Sequence, residues 1–423
     1  MGRCRFSRQG VAMTRPVLVG FADALAAIES VWSLVDHGFE VHAFGRSGSR
    51  PALSRCRGVR IIGITPPELD ALRAAADLAR AIRELRPAAV LPLDDQAVWL
   101  VNQVVAENPA DGARRHVRRK TVVAGPVGTA AELALDKRQQ LKAAMSAGFA
   151  APPSCDATGG LLPGPGPWMV KPAMAVELAG GRLRRGTGKI ARTPVDARAA
   201  AAAMGGAAIA QPMIGGTGEG IFGLATGGGV VALSAHRRIR MMNPRGSGSS
   251  ACRSVPVDDA LAGPVREFVA ATAWQGLFMI ELLRDPGGTP WFMELNGRAW
   301  GSMALACRRG FAYPAWAVRA ALDPAWLPDE PPPAGHLTAR HLGREIVHLG
   351  AVLAKGGAPR LRTVRDVMTV RRSDCWYNWR RGYAQVFVAD TWATVSGQFR
   401  SRGRTGRRGQ AHRRPAGRGQ AGR

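Results

Sequence analysis

Two glutamates, Glu281 and Glu294, stand in short apolar, aromatic-rich runs, and the turn signal Asp285-Pro286-Gly287-Gly288 lies between them. Runs of this kind on either side of Gly-Gly predict a β-hairpin. A turn centred on Gly287-Gly288 sets Glu281 opposite Glu294, with Cβ atoms about 5 Å apart. Carboxylates so placed repel each other, and a divalent cation between them removes the repulsion. Asn296 falls on the same strand face as Glu294 and adds a third oxygen, so the cluster suits a Mg²⁺ site.

The elements that must carry such a site are legible upstream. Val17-Leu18-Val19 reads as a strand, Leu25, Ile28, Trp32 and Val35 recur at helical spacing, Gly38 is placed as a C-cap, and 39–44 resumes as strand. Residues 59–64 are strand-like, 68–86 form a helix with Leu69, Leu72, Ala76, Ala79 and Ile82 on one face, and 88–93 is again a strand. Alternation of this kind predicts a Rossmann-like parallel sheet with helices on both faces. Its first turn, Gly20-Phe21-Ala22-Asp23-Ala24-Leu25, lacks Gly-x-Gly-x-x-Gly, so no nicotinamide cofactor is expected. Asp94 and Asp95 end a strand at a sheet edge, where they suit either a ligand contact or a helix cap.

After Pro126 the texture changes. Asp136-Lys137 opens an amphipathic helix that ends at Gly148, and the strand Trp168-Met169-Val170-Lys171-Pro172 carries a lysine amid apolar neighbours. A lysine on an edge strand, reaching outward to water, is the plain alternative. Residues 180–189 are glycine-rich and basic and could cover phosphates. The strand 207–211 runs into Pro212-Met213-Ile214-Gly215-Gly216, and 221–225 with 230–236 form another hairpin.

Composition limits the class of function. With 423 residues, 46% of them hydrophobic, the chain has material for two or three domains and needs no staples. Six scattered cysteines without Cys-x-x-Cys spacing fit a reducing cytoplasm better than a disulfide scaffold or zinc site. No run is long enough to span a membrane, and the Arg-containing start lacks the apolar core of a signal peptide, with Met13 an alternative start. The net charge of +27 owes much to a Gly/Arg-rich end, 399–423, expected to be disordered. A solvated tail is the plainer expectation for it, and non-specific nucleic-acid binding the alternative. The basic cluster at 114–120 is expected to be an exposed loop.

Taken in order, Asp136-Lys137, Val170-Lys171-Pro172, Ala210-Gln211-Pro212-Met213-Ile214-Gly215-Gly216, His236-Arg237-Arg238, Glu281 and Met293-Glu294-Leu295-Asn296-Gly297-Arg298 resemble the ATP-grasp superfamily. The closing stretch 292–314 is similar to carbamoyl-phosphate-synthase-like and carboxylate-amine-ligase members. The resemblance covers roughly 126–322 and implies an α/β and α+β chain. Its expected parts are a pre-ATP-grasp Rossmann-like domain (13–125), a small subdomain (126–205), a large subdomain with the metal site (206–325), and a C-terminal segment of unassigned role (335–398).

The resemblance also assigns roles. Lys137 and Lys171 match the lysines on nucleotide phosphates. Gln211, Pro212 and Met213 match the hinge that reads adenine through backbone groups, with the Met213 N–H donating to the ring. Glu219 falls, with a one-residue offset, where the ribose hydroxyls are held. Glu281, Glu294 and Asn296 match ligands of Mg²⁺ (or Mn²⁺), Arg298 the arginine that steadies the transferred phosphoryl group, and Arg238 a basic position close by. The implied reaction uses ATP to turn a carboxylate into an acyl phosphate that an amine captures. A non-catalytic nucleotide-binding protein and a nucleic-acid-associated protein are the alternatives, and a homo-oligomer is one option for the assembly. His236 is expected to be structural.

Overall fold

The computed structural model describes residues 15–106, 116–118, 121–159, 161–243, 248–331, 335–355 and 359–411. The N-terminal part alternates β1 (Val17–Gly20), α1 (Ala27–Asp36), β2 (Val41–Arg46), β3 (Arg60–Ile64), α2 (Ala71–Leu85), β4 (Ala89–Pro92), α3 (Asp95–Ala106), β5 (His116–Arg118) and β6 (Thr121–Val123). The sheet order is β3-β2-β1-β4-β6-β5, parallel except for β5. β1 and β4 are short, apolar and buried throughout because helices cover both faces.

Within these elements the buried faces are rotated from the expected ones. Asp70 caps α2 by accepting from the Arg73 N–H, so Leu69 precedes the helix and lies outside its periodic face. Ala71, Ala74, Ala75, Leu78 and Ile82 are buried, and Leu69 and Leu72 are exposed. Small residues let α2 sit close to the sheet. Part of the basic cluster, His116–Arg118, is an edge strand antiparallel to β6 and not a loop, because it finds a free sheet edge to pair with. Its other members, and Met13, lie outside the described residues.

The middle of the chain holds α4 (Thr129–Leu135), α5 (Lys137–Ser146), β7 (Cys155–Asp156), β8 (Trp168–Pro172), β9 (Glu177–Ala179), β10 (Arg182–Arg184), β11 (Lys189–Ala191), α6 (Pro194–Ala202) and β12 (Ala208–Pro212). A four-stranded sheet, β11-β8-β12-β7, places β8 inside and not at an edge. β9 and β10 form a separate hairpin turning at Gly180 and Gly181, both at positive φ. That hairpin docks on the N-terminal domain: the Ala71 N–H donates to Gly181 O and the Leu183 N–H to Pro67 O, each at 2.8 Å.

Next come β13 (Thr217–Thr226), β14 (Gly229–Met241), β15 (Ser249–Val255), α7 (Asp259–Ala271), β16 (Gly276–Arg284), β17 (Pro290–Asn296), α8 (Met303–Arg308) and α9 (Tyr313–Leu322), then β18 (Thr338–Arg340), α10 (Leu342–Lys355), α11 (Arg360–Met368), β19 (Asp374–Trp376) and α12 (Ala384–Ala411). The seven-stranded sheet runs β17-β16-β13-β14-β15-β18-β19, so the C-terminal segment extends the same sheet that carries the hairpin. One core joins this sheet to the first domain, with Val17, Val31 and Leu91 packed in a cluster with Phe222, Met279, Trp300 and Tyr313.

The C-terminal segment also straps α1. The Asn378 N–H donates to the buried Glu29 at 2.8 Å, Arg308 pairs with Glu29 at 3.2 Å, and Arg380 pairs with Asp36 at 2.6 Å. α12 stays helical past Phe399, where the composition was expected to end ordered structure. A helix already docked grows without a new nucleation cost. Residues 412–423 lie outside the described residues. No helix among the described residues is long and apolar enough to cross a membrane.

Glu345 ties this segment down. It is 1% exposed and bridges Arg240 at 2.7 Å and Arg340 at 3.0 Å. Burial raises its pKa, but the hydrogen bond from Arg240 leads the contributions that hold it below the ordinary 4.5. Its contribution is therefore complete above that value and lost as the pH falls below it. We expect Glu345→Ala to strand Arg240 and to leave Arg340 with Asp374 alone, at a cost of about 3 kcal/mol, near the lower end for a broken buried pair. Denaturant melts should show that deficit shrinking as pH drops below 4.5, where the wild type loses the same interaction.

Candidate active site

The hairpin β16–β17 has the expected register at its base: Met279 faces Asn296, Ile280 faces Leu295, and Glu281 faces Glu294. Nearer the tip the pairs are Leu282–Phe292, Leu283–Trp291 and Arg284–Pro290. The turn is thus longer than a two-residue one, and Met293 is the extra residue of a bulge that restores the glutamate pair. Asp285 templates that turn: its carboxylate accepts from the Thr289 N–H at 2.9 Å and from Trp291 Nε1 at 2.8 Å.

Side chains from four other segments converge on the pair. Arg238, on β14, reaches Glu281 with Nη2 at 2.8 Å from Oε1. It crosses β13 over Gly218, where a Cβ would lie 2.6 Å from Arg238 Cδ. We expect Gly218→Ala to leave the melting temperature nearly unchanged, because a flexible side chain can move aside, yet to lower any nucleotide turnover clearly. Parallel melts and ADP-release assays check this.

Lys137 opens α5, after an Asp136 N-cap that accepts from the Arg138 N–H. Lys171, on β8, donates from Nζ to Met293 O at 3.4 Å. Burial holds both ammonium groups below the ordinary lysine pKa, and Glu294 is the leading charge that opposes it. Asn296 is held at both ends: its Oδ1 accepts from Arg298 Nη2 at 2.7 Å, and its Nδ2 lies 3.4 Å from Glu294 Oε1.

The N-terminal domain closes the site. Asp95, in the first turn of α3, accepts from Arg298 Nε at 2.9 Å and pairs with Arg185 at 2.9 Å. Burial would raise the Asp95 pKa, but Arg298 leads the charges that hold it low. Its neighbour Asp94 is the cap, accepting from the Ala97 N–H at 2.8 Å, and burial pushes its carboxyl up to about 6. Of the two aspartates, Asp94 takes the capping role, and Asp95 pairs with arginines. The sequence marks Asp95 as a ligand contact or a helix cap and Arg185 as part of the basic stretch 180–189, but nothing in it pairs either with the other or with Arg298.

Two expectations are not met by position. Glu219 lies opposite Arg237 and Leu282, one residue out of phase with Gly220, which faces Glu281, so its side chain is on the other face of the sheet. There Arg237 and Arg284 bind its two oxygens, each at 2.9 Å, and the structure does not bring it to the cluster. Gln211 and Pro212 end β12, and the Met213 N–H expected to serve a base donates instead to Pro167 O at 2.9 Å, because the preceding loop runs beside it. Pro212 stands opposite Trp168, and Gln211 Nε2 donates to Ser154 Oγ at 2.8 Å. His236 is buried against Phe222, and burial lowers its pKa to about 3, which leaves it neutral.

No group of three or more His, Cys, Asp or Glu that could hold a metal occurs among the described residues. The candidate set is instead Glu281, Glu294 and the amide oxygen of Asn296. Hard oxygen donors of this kind fit Mg²⁺, which keeps several waters and needs few protein ligands.

No family model and no curated protein matches the sequence. Solved structures do. The L-amino acid ligase from Bacillus licheniformis superposes with a TM-score of 0.53 at 17% identity, over 73% of this chain and 74% of that one. The biotin carboxylase domain of the Hydrogenobacter thermophilus 2-oxoglutarate carboxylase, a dimer in complex with MgADP, ADP and bicarbonate, gives 0.57 at 16% identity over 77% and 73%. N5-carboxyaminoimidazole ribonucleotide synthetase from Thermus thermophilus gives 0.54 at 15% identity over 76% and 81%. With a Rossmann-like sheet leading into one antiparallel and one largely antiparallel sheet, the chain has the ATP-grasp fold of these solved structures.

Proposed function

We propose that the chain is an ATP-dependent ligase that activates a carboxylate as an acyl phosphate and joins it to an amine, releasing ADP and phosphate. The observation that carries this is the meeting of five cations, Lys137, Lys171, Arg185, Arg238 and Arg298, with three carboxylates, Glu281, Glu294 and Asp95, around one hairpin. An excess of positive charge among largely buried side chains suits a nucleotide triphosphate. It also suits the approach of a second anion to the γ-phosphorus, a reaction in which positioning and charge neutralisation supply most of the catalysis.

In this reading Lys137 and Lys171 hold nucleotide phosphates. Glu281, Glu294 and Asn296 would hold Mg²⁺, which when bound neutralises phosphate charge. Arg298 is kept in place by Asp95 and Asn296, and its rigid fork suits the transferred phosphoryl group. Arg238 lies close enough to share that load. The segment Gln211 to Met213 borders the adenine site, and the Met213 N–H must leave Pro167 to serve the base. The dimeric state of the carboxylase domain makes a homo-oligomer the corresponding proposal for this chain, and light scattering tests it.

ADP release screened over carboxylic acids and amines, with mass spectrometry of the products, tests the function. A carboxylate-dependent signal with a ligated product is expected. Nucleotide binding without any substrate-dependent ADP release would favour a non-catalytic nucleotide-binding protein of the same fold.

A further inference from the structure

Arg298 does not hold Asp95 alone. Its Nε donates to Asp95 Oδ1 at 2.9 Å, but its Nη2 stands 3.4 Å from Oδ2, the oxygen that Arg185 Nη2 meets at 2.9 Å. An arginine and a carboxylate left to themselves favour two parallel, equally close bonds. Here the second guanidinium breaks that symmetry. Arg298 Nη2 turns instead to Asn296 Oδ1 at 2.7 Å, and Nη1 donates to the Ala299 carbonyl at 3.1 Å.

Arg185 reaches Asp95 because the hairpin β9–β10 is seated. Arg185 directly follows β10, in which Leu183 is fully buried and donates its N–H to Pro67 O of the N-terminal domain at 2.8 Å. On the other side a Cβ on Gly186 would overlap Pro172, so the chain beyond Arg185 lies directly on the strand that carries Lys171. Arg185 thus stands between two fixed points, although its own side chain is 60% exposed. Asp95, 9% exposed, is the buried end of the pair.

One carboxylate therefore joins three parts of the chain. Asp95 belongs to the N-terminal domain, Arg185 follows a strand of the middle segment, and Arg298 follows β17 of the large sheet. Without Arg185, Asp95 Oδ2 is open to Arg298 Nη2, and the aspartate competes with Asn296 for that nitrogen. Phosphoryl transfer depends on placement, and a displacement of about 1 Å in a positioning group can cost about a hundredfold in rate.

We propose that Arg185 is a positioning residue: with the β9–β10 hairpin seated on the N-terminal domain, it occupies Asp95 Oδ2 and thereby commits Arg298 Nη2 to the side of Asn296, where the transferred phosphoryl group is held. Arg185 acts through Asp95 and does not itself touch the nucleotide, so hairpin docking and readiness for phosphoryl transfer are one event. This rests on the ligase reading above.

Titration calorimetry of Mg-ADP on the full chain tests it, with and without beryllium fluoride, which takes the place of the transferred phosphoryl group beside ADP. In the wild type the fluoride is expected to tighten Mg-ADP binding by about tenfold or more. Arg185→Gln should lose most of that gain while Mg-ADP alone binds within about threefold of wild type, and Arg185→Lys should recover part of it. Asp95→Asn should lose the gain as well, and the double variant should lose no more than Asp95→Asn alone, as expected when one residue acts through the other. If Asp95→Asn does not fold, the two Arg185 variants decide the matter. A full gain in Arg185→Gln overturns the proposal. So do losses that multiply in the double variant, or an equal fall in Mg-ADP affinity without the fluoride, either of which places Arg185 directly on the phosphates. Mg-ADP binding with no fluoride gain in the wild type overturns the Arg185 role alone, whereas failure of Mg-ADP to bind overturns the ligase reading and the Arg185 role with it.

Discussion

Glu294→Gln is expected to lower Mg-dependent nucleotide turnover by orders of magnitude while the protein stays folded. The substitution keeps the shape of the side chain and removes one of two facing anionic ligands, so the metal loses both charge and a donor. Relief of repulsion from Glu281 would, by itself, leave the unliganded protein level or slightly more stable. The cations around the pair reverse that sign, because Glu294 is the leading charge that offsets burial at both Lys137 and Lys171. We therefore expect a modest fall in melting temperature without ligand, and a larger fall in the stabilisation that Mg-ATP confers. Full retention of Mg-dependent stabilisation in the variant would remove the glutamates from the metal site.

Arg298→Met should be costly twice over. It removes the guanidinium proposed to steady the phosphoryl group, and it strips the buried Asp95 of its more buried partner, leaving Arg185, whose side chain is 60% exposed. Removing one member of a buried pair costs about 3–5 kcal/mol, and the remaining arginine places this case near the lower end. In the wild type Asp95 is held below its ordinary 3.8, so its contribution is complete above that pH and lost as the pH falls through the folded value. In the variant the Asp95 pKa rises, so the deficit is largest at neutral pH and shrinks on acidification. Denaturant melts at two pH values measure this, and adding Asp95→Asn should recover part of the loss in a double-mutant cycle.

How far the sequence carries depends on how local each determinant is. The hairpin register was legible because strand alternation and a Gly-Gly turn act within about 20 residues, and the bulge at Met293 corrected the turn length without disturbing the glutamate pair. The parallel sheet was legible from periodicity. The partnership of Asp95 with Arg298 joins residues 203 apart, and no local pattern encodes it. Glu219 shows how sharp strand parity is, since a one-residue offset is the difference between the cluster and the opposite face. Three-residue strands such as β18 and β19 carry too little pattern to announce that the C-terminal segment completes the large sheet.

The most direct measurement uses a carboxylate substrate from the ADP-release screen, labelled with ¹⁸O in both carboxyl oxygens, followed by mass spectrometry of the phosphate released during turnover. An acyl phosphate formed at this site transfers one carboxylate oxygen to phosphate, so one ¹⁸O per phosphate is predicted, with ADP and ligated product formed in equal amounts and the label lost in step with activity in Glu294→Gln. Phosphate that carries oxygen from solvent water alone, or turnover that yields AMP and pyrophosphate, would contradict the account.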